Sequence, residues 1–195
     1  MKVIGLVGHA GSGKDTAMNV IVRNTPYIFY KVEIVRFADK LKDTVATVMG
    51  ISREELDRLK EEDRNSEIAK TIREYLQNIG ECSRKIDPDI FVNDVVTRIH
   101  RLSTLDHPEL VIVPDVRFIN EAQALKNNFD TVLIKIENPR LDLADEIYQH
   151  SSESEIDAIE VDYKIVNDKS LPEFKRDVID LVFGKIFHKK ELTYG

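Results

Sequence analysis

The feature that most constrains this chain is a glycine-patterned loop set between an apolar run and a helix-forming stretch. Gly8-His9-Ala10-Gly11-Ser12-Gly13-Lys14 follows Val3–Val7 without a gap and opens into Asp15–Val22. Glycines let the backbone curl so that successive N–H groups point inward at an anion, and the start of the helix adds its partial positive charge. Lys14 supplies a mobile point charge. The spacing G-x-x-x-x-G-K in its strand–loop–helix setting predicts a polyphosphate cradle, with Gly11, Ser12, Gly13, Lys14, Asp15 and Thr16 as candidate ATP-binding residues. A glycine-rich turn that binds nothing is the plain alternative, and the setting speaks against it. Asp15 departs from the pattern, which has Ser or Thr there. Either Asp15 faces a metal ion while Thr16 touches phosphate, or Asp15 is a helix-start charge favoured by the dipole.

The runs Val3–Val7, Val32–Phe37, Leu110–Val113, Val132–Ile136 and Tyr163–Val166 read as strands. Several are continuous Val/Ile/Leu blocks, which suit a parallel sheet covered on both faces. Helical stretches near 14–24, 39–49, 53–60, 66–84, 89–104, 118–127 and 171–187 lie between them. The expected architecture is α/β, a three-layer fold with a five-stranded parallel sheet and helices on both faces. Residues 1–195 read as a single domain without repeats or linkers. Its stretch 38–109 forms a helical insertion suited to holding a substrate, and the polar, acidic stretch 138–162 is a candidate lid.

Composition narrows the function classes. A net charge of −7 argues against a protein that coats nucleic acid, though not against a nucleotide substrate. The single cysteine, Cys82, excludes an internal disulfide framework and reads as a small helix residue in a reducing cytosol. No stretch approaches the roughly 18 apolar residues of a membrane span. The expected location is the cytoplasm.

A second constellation lies in Val113-Pro114-Asp115-Val116-Arg117 with Glu121. A carboxylate at the carboxyl end of a buried strand lies at the sheet edge where such folds bind ligands. Asp115 is a candidate Mg²⁺ ligand if this strand neighbours the first, Arg117 a candidate phosphate fork, and Glu121 a group to orient Arg117. The bland reading is a helix cap and a surface pair. On the helix over 66–84, Ile68, Ile72, Leu76 and Ile79 form an apolar face and Lys70, Glu74, Asn78 and Glu81 a solvent face. Arg73, Gln77, Gly80 and Arg84 fall between them, a third stripe suited to a polar pocket wall, with a solvated charged face as the alternative.

Gly-Ser-Gly-Lys-Asp-Thr at 11–16, Arg-x-x-x-Gln-x-x-Gly at 73–80 and Val-Pro-Asp-x-Arg at 113–117 resemble the deoxynucleoside monophosphate kinases of tailed bacteriophages, a P-loop nucleotide kinase group. The stretch Asp162–Leu171 resembles the last strand and helix of that group. The resemblance implies transfer of the γ-phosphoryl of ATP to a deoxynucleoside 5′-monophosphate, with Mg²⁺, in the host cytoplasm if the chain is phage-encoded. Lys14, Asp115, Arg117 and Glu121 would be catalytic, and Asp15 and Asp115 would face the metal. Arg73, Gln77, Gly80, Phe91 and Arg140 would be on the substrate side, with Phe91 stacking on the base or filling the core. Arg140 and His150-Ser151-Ser152-Glu153 lie where such kinases carry a lid. The implied partners are ATP and the monophosphate, with no nucleic-acid polymer and no membrane; a homodimer is left open. The alternatives are a kinase of another phosphorylated acceptor, phosphomevalonate-like, or a nucleotide-binding regulatory module. A GTPase would carry Asn-Lys-x-Asp where this chain has Asn167-Asp168-Lys169.

Overall fold

The computed structural model describes residues 1–25, 31–62, 66–141 and 155–187. Residues 142–154, the greater part of the candidate lid with His150, Ser151, Ser152 and Glu153, lie outside the described residues. By its internal contacts the chain forms two compact units, Met1–Val35 with Ile99–Gly195, and Arg36–Arg98.

The first unit is built on five parallel strands: β1 (Lys2–Val7), β2 (Val32–Ile34), β3 (Leu110–Val116), β4 (Thr131–Glu137) and β5 (Tyr163–Val166), in the order β2-β3-β1-β4-β5. The α/β expectation with a five-stranded parallel sheet holds. Pleating divides the strands between two faces. Ile4, Leu6, Ile112, Ile134, Ile136 and Ile165 face a core shared with α1 (Lys14–Asn24) and the closing helix, which supplies Phe174 and Val178. On the other face Val3, Val113 and Leu133 are fully buried, and α6 (Ile119–Asn128) packs against β1 and β4.

Some boundaries differ from the sequence reading. Strand β2 stops at Ile34, and Phe37 already has helical dihedrals as the N-cap of the next helix. The helix expected over 171–187 is α-helical only over Leu171–Ile179, here α7, and continues as a π-helix over Asp180–Phe187 with Phe183 and Phe187 stacked at 6.1 Å. Its start is legible: Ser170 is the N-cap, its backbone N–H donates to Glu173, and proline occupies the first turn.

The second unit is helical: α2 (Ala38–Met49), α3 (Arg53–Glu62), α4 (Glu67–Ile86) and the first turns of α5 (Ile90–Leu105). Helix α2 ends at Gly50, whose φ of 68° is the left-handed conformation glycine adopts at helix ends. Ser66 caps α4 by accepting the Ala69 N–H at 3.1 Å. Val45, Ala46, Leu56 and Ile72 form the unit's core, with Leu41, Met49, Leu76 and Ile79 packed around them.

Candidate functional site

Because all strands are parallel, their carboxyl ends share one edge, and the sheet order turns outward in both directions from β1. That switch point is where open α/β sheets bind ligands. The glycine loop leaves β1 there. Gly8, Gly11 and Gly13 have φ of 150°, 76° and 111°, a region closed to most side chains. Space demands glycine as well. A Cβ on Gly8 would stand 2.5 Å from the Ile136 carbonyl oxygen, and one on Gly13 2.7 Å from Asn167 Nδ2.

Lys14 opens α1 and is 8% exposed. Its Nζ donates to the carbonyls of Gly8 at 2.5 Å and His9 at 2.7 Å, so the loop curls around the ammonium. The N-cap is Gly13, with no side-chain cap. Asp15 is therefore the second helical residue and exposed, where its charge complements the dipole. Thr16 follows it, half-buried. Ser12 is 1% exposed, and its hydroxyl has no hydrogen-bond partner among the described residues.

Strand β3 lies beside β1, which meets the condition set for Asp115. The register runs Gly5↔Val113 and then Val7↔Val116, so β3 has one residue too many at Pro114-Asp115. Proline lacks the N–H the ladder needs, and the bulge re-aims the chain at the sheet edge. The strand thus extends beyond its expected end, carrying Asp115 half-buried in its last turns of the pleat. The helix-face pairing of Arg117 with Glu121 needs correcting, because α6 starts only at Ile119. Glu121 is 2% exposed and reaches back to accept the backbone N–H groups of Arg117 at 2.9 Å and Phe118 at 3.2 Å. It is the return arm of a capping box whose other arm Phe118 has no acceptor to provide. Glu155 accepts the next N–H, that of Ile119, at 3.0 Å.

Around this edge stand Arg140, which the resemblance put on the substrate side, and residues the sequence reading did not assign to the site. Lys135, 6% exposed on β4, donates to Asp157 at 2.7 Å, and that bond first of all holds the Asp157 carboxyl below its ordinary range. His9 of the loop lies 3.4 Å from the same carboxylate. A lone lysine in the apolar strand Thr131–Glu137 was the available signal. Asn167, just past β5, donates to the Ser12 carbonyl at 2.9 Å. Arg140, exposed after β4, donates to the Asp168 carbonyl at 2.6 Å.

In the helical unit, Arg73 and Arg84 of the α4 stripe are half-buried, Gln77 is exposed and Gly80 buried. Ile68 is 54% exposed and does not belong to the apolar face; Ala69 takes that place. A Cβ on Gly80 would meet Leu41 and the Arg84 guanidinium, each at 3.2 Å, so helix packing and the arginine use the room it leaves. Phe91 is 4% exposed and carries Arg84 over its ring, 4.7 Å from the centroid. Of the two expectations for Phe91, stacking on a base or filling the core, this burial fits the second. The sequence also gave no sign of the cluster around Arg53, which binds Asp39 at 3.1 Å, Asp43 at 2.6 Å and Asp57 at 3.0 Å.

No family model matches the chain. Among solved structures it is similar to dephospho-CoA kinase from Campylobacter jejuni, at 15% identity over 94% of this chain and 97% of that one, with a TM-score of 0.48. It is also similar to the Mycobacterium tuberculosis APS kinase in complex with AMPPNP and APS, at 16% identity over 93% and 97%, with a TM-score of 0.45. Likeness at those scores carries no weight beside the sheet order and the loop of the chain itself. A curated protein of Acanthamoeba polyphaga mimivirus, named "Putative deoxynucleotide monophosphate kinase", is 31% identical over 93% of this chain and 96% of its own length. With that identity along nearly the whole of both proteins, and with the G-x-x-x-x-G-K loop at the switch point of a parallel sheet, the chain belongs to the deoxynucleotide monophosphate kinase family of P-loop kinases.

Proposed function

We propose that the chain transfers the γ-phosphoryl group of ATP to a deoxynucleoside 5′-monophosphate, yielding the diphosphate and ADP. The observation that carries this reading is the glycine loop around Lys14, in a chain similar over 93% of its length to a viral protein named for deoxynucleotide monophosphate kinase. Phosphoryl transfer needs positioning and neutralisation of spreading charge more than covalent help. No protein nucleophile is required: an acceptor phosphate oxygen attacks the γ-phosphorus in line, and the bond to the ADP oxygen breaks.

Lys14 would exchange its loop carbonyls for β- and γ-phosphate oxygens. The main-chain N–H groups of Gly11, Ser12 and Gly13 would face the donor, with Thr16 at phosphate. Arg117 and Arg140 would take up charge that develops on the transferred group, and Arg73 and Gln77 would bind the acceptor. Glu121 is assigned a positioning task, since it fixes the backbone on which Arg117 stands. The donor set also suits Mg²⁺. Asp15 and Asp115 are hard oxygen ligands at the loop and the neighbouring strand end, and Mg²⁺ uses one or two carboxylates together with substrate phosphates. When bound, the ion would neutralise phosphate charge.

A coupled ADP-release assay across the common nucleoside monophosphates, ribo and deoxy, tests the reading. At least one deoxynucleoside monophosphate should give acceptor-dependent ADP production that EDTA abolishes. Turnover confined to a non-nucleotide phosphate would replace the acceptor assignment, and ATP binding without turnover would favour a regulatory module.

A further inference from the structure

Asn167 follows β5 directly and is held there by its own main chain, whose N–H donates to the Glu137 carbonyl at 2.7 Å. Its side chain then reaches the glycine loop, Nδ2 to the Ser12 oxygen at 2.9 Å. The amide orientation is dictated, because a carbonyl can only accept. The carbonyl and N–H of a trans peptide point in opposite directions. Holding the Ser12 carbonyl outward against Asn167 therefore aims the Gly13 N–H the other way. Gly13 has no Cβ, which permits its φ of 111° and equally permits this peptide to flip. A flipped peptide would turn a carbonyl oxygen toward an incoming phosphate.

We propose that Asn167 is a positioning residue for the donor phosphates, locking the Ser12–Gly13 peptide so that the Gly13 N–H faces the anion. The inference rests on the glycine loop being the donor site. The contact is close: the same Nδ2 stands 2.7 Å from where a Gly13 Cβ would lie, and the Phe174 ring forms the floor at 3.4 Å. Main-chain bonds hold the Ser12 N–H and the Gly13 carbonyl on either side of this peptide, and its own carbonyl is held by a residue 155 positions further along the chain.

The experiment is calorimetric titration of Mg²⁺-ATP, without acceptor, into wild type, Asn167→Ala and Asn167→Asp. Aspartate keeps the size but loses the donor and opposes an oxygen to the Ser12 carbonyl. Both variants should bind ATP about tenfold more weakly, aspartate at least as weakly as alanine, the loss of one well-aligned hydrogen-bond donor. The KM for the acceptor should stay within about twofold, a split that a general loosening of the fold would not produce. A second measurement needs no variant: the Gly13 amide proton of the wild type should move downfield when Mg²⁺-ADP is added. Wild-type ATP affinity in a folded Asn167→Asp protein, or a Gly13 amide that ADP leaves unmoved, overturns the proposal. Absence of ATP binding by the wild type overturns the donor-site reading along with it.

Discussion

The two units hold charge in different ways. In the sheet unit the central cation, Lys14, is 8% exposed and is held by two main-chain carbonyls of a loop whose path is set by glycines. In the helical unit the central cation, Arg53, is held by three aspartates on α2 and α3, and Arg98 shares one of them, Asp39, at 3.2 Å. Burial alone would lower the pKa of Arg53, but its bonds to Asp43, Asp39 and Asp57 raise it. The first arrangement leaves an ammonium that can trade carbonyls for phosphate oxygens. The second ties helices together around a small core of Val45, Ala46, Leu56 and Ile72. Backbone-held charge is suited to chemistry, and charge held by side chains is suited to keeping helices in register.

The largest expected effect tests the first half of that contrast. Lys14→Met keeps the buried stem and removes the ammonium. If Lys14 serves transfer, kcat/KM should fall by about 10²–10³-fold, the scale of losing one preorganised charge donor. Stability measured by urea unfolding should change by no more than about 1 kcal/mol, because the hydrogen bonds lost to the Gly8 and His9 carbonyls are offset by no longer burying an ammonium. A variant that unfolds readily but retains catalysis when folded would make Lys14 a structural residue. Arg53→Met should show the opposite profile. It removes the cation that Asp39, Asp43 and Asp57 share, leaving Asp39 to Arg98 and Asp57 to Lys42, and the urea midpoint should drop by the equivalent of about 1–3 kcal/mol, below the loss for a fully buried pair because the arginine side chain is 25% exposed. Affinity for ATP should stay unchanged. If Arg53→Met instead weakened ATP binding at full stability, the division of labour between the units would fail.

The same contrast decides what was legible in the sequence. The glycine loop and the continuous apolar strands are local patterns, and the structure places the loop as read and the five strands in their expected stretches, with shifted ends in β2 and β3. The parallel order of the sheet was expected from Val/Ile/Leu blocks alone, and the position of β3 beside β1 gave Asp115 its place. Glu121 was singled out for the wrong reason: helix periodicity suggested a face shared with Arg117, whereas the helix starts after Arg117 and the carboxylate reaches back to the backbone. Gly80 looked like a pocket residue because periodicity cannot tell a pocket wall from a close helix contact, and Phe91 entered through the resemblance alone, with stacking and core filling both open. Asn167, Asp157 and Glu155 were missed altogether. Their partners, Ser12, Lys135 and Ile119, lie 155, 22 and 36 residues away, and no local spacing records such a contact.

The smallest expected effect probes a side-chain network inside the backbone-held unit. Asp157 pairs with buried Lys135 at 2.7 Å and lies 3.4 Å from His9, with Glu137 3.6 Å from the same lysine. The Lys135 hydrogen bond is the main reason the Asp157 carboxyl titrates below its ordinary 3.8 in the folded protein. A carboxyl depressed by folding adds stability that is fully present above its unfolded pKa and is lost as pH falls through the lower folded value. Asp157→Asn keeps an oxygen for Lys135 but removes the charge. At neutral pH the variant should be less stable, by under about 1 kcal/mol, since the aspartate side chain is 65% exposed and solvent screens the pair. As pH falls through the lowered folded value of Asp157 the two proteins should converge, because the wild type then becomes protonated as well. Urea midpoints for both proteins between pH 3 and pH 7, about one unit below and three above the unfolded carboxylate value, give the comparison. A gap that persists unchanged at the acid end would mean that shape, not charge, makes the contact. No gap at any pH would leave Lys135 sufficiently served by Glu137, and the contrast between the two units would then be sharper than the Asp157 geometry suggests.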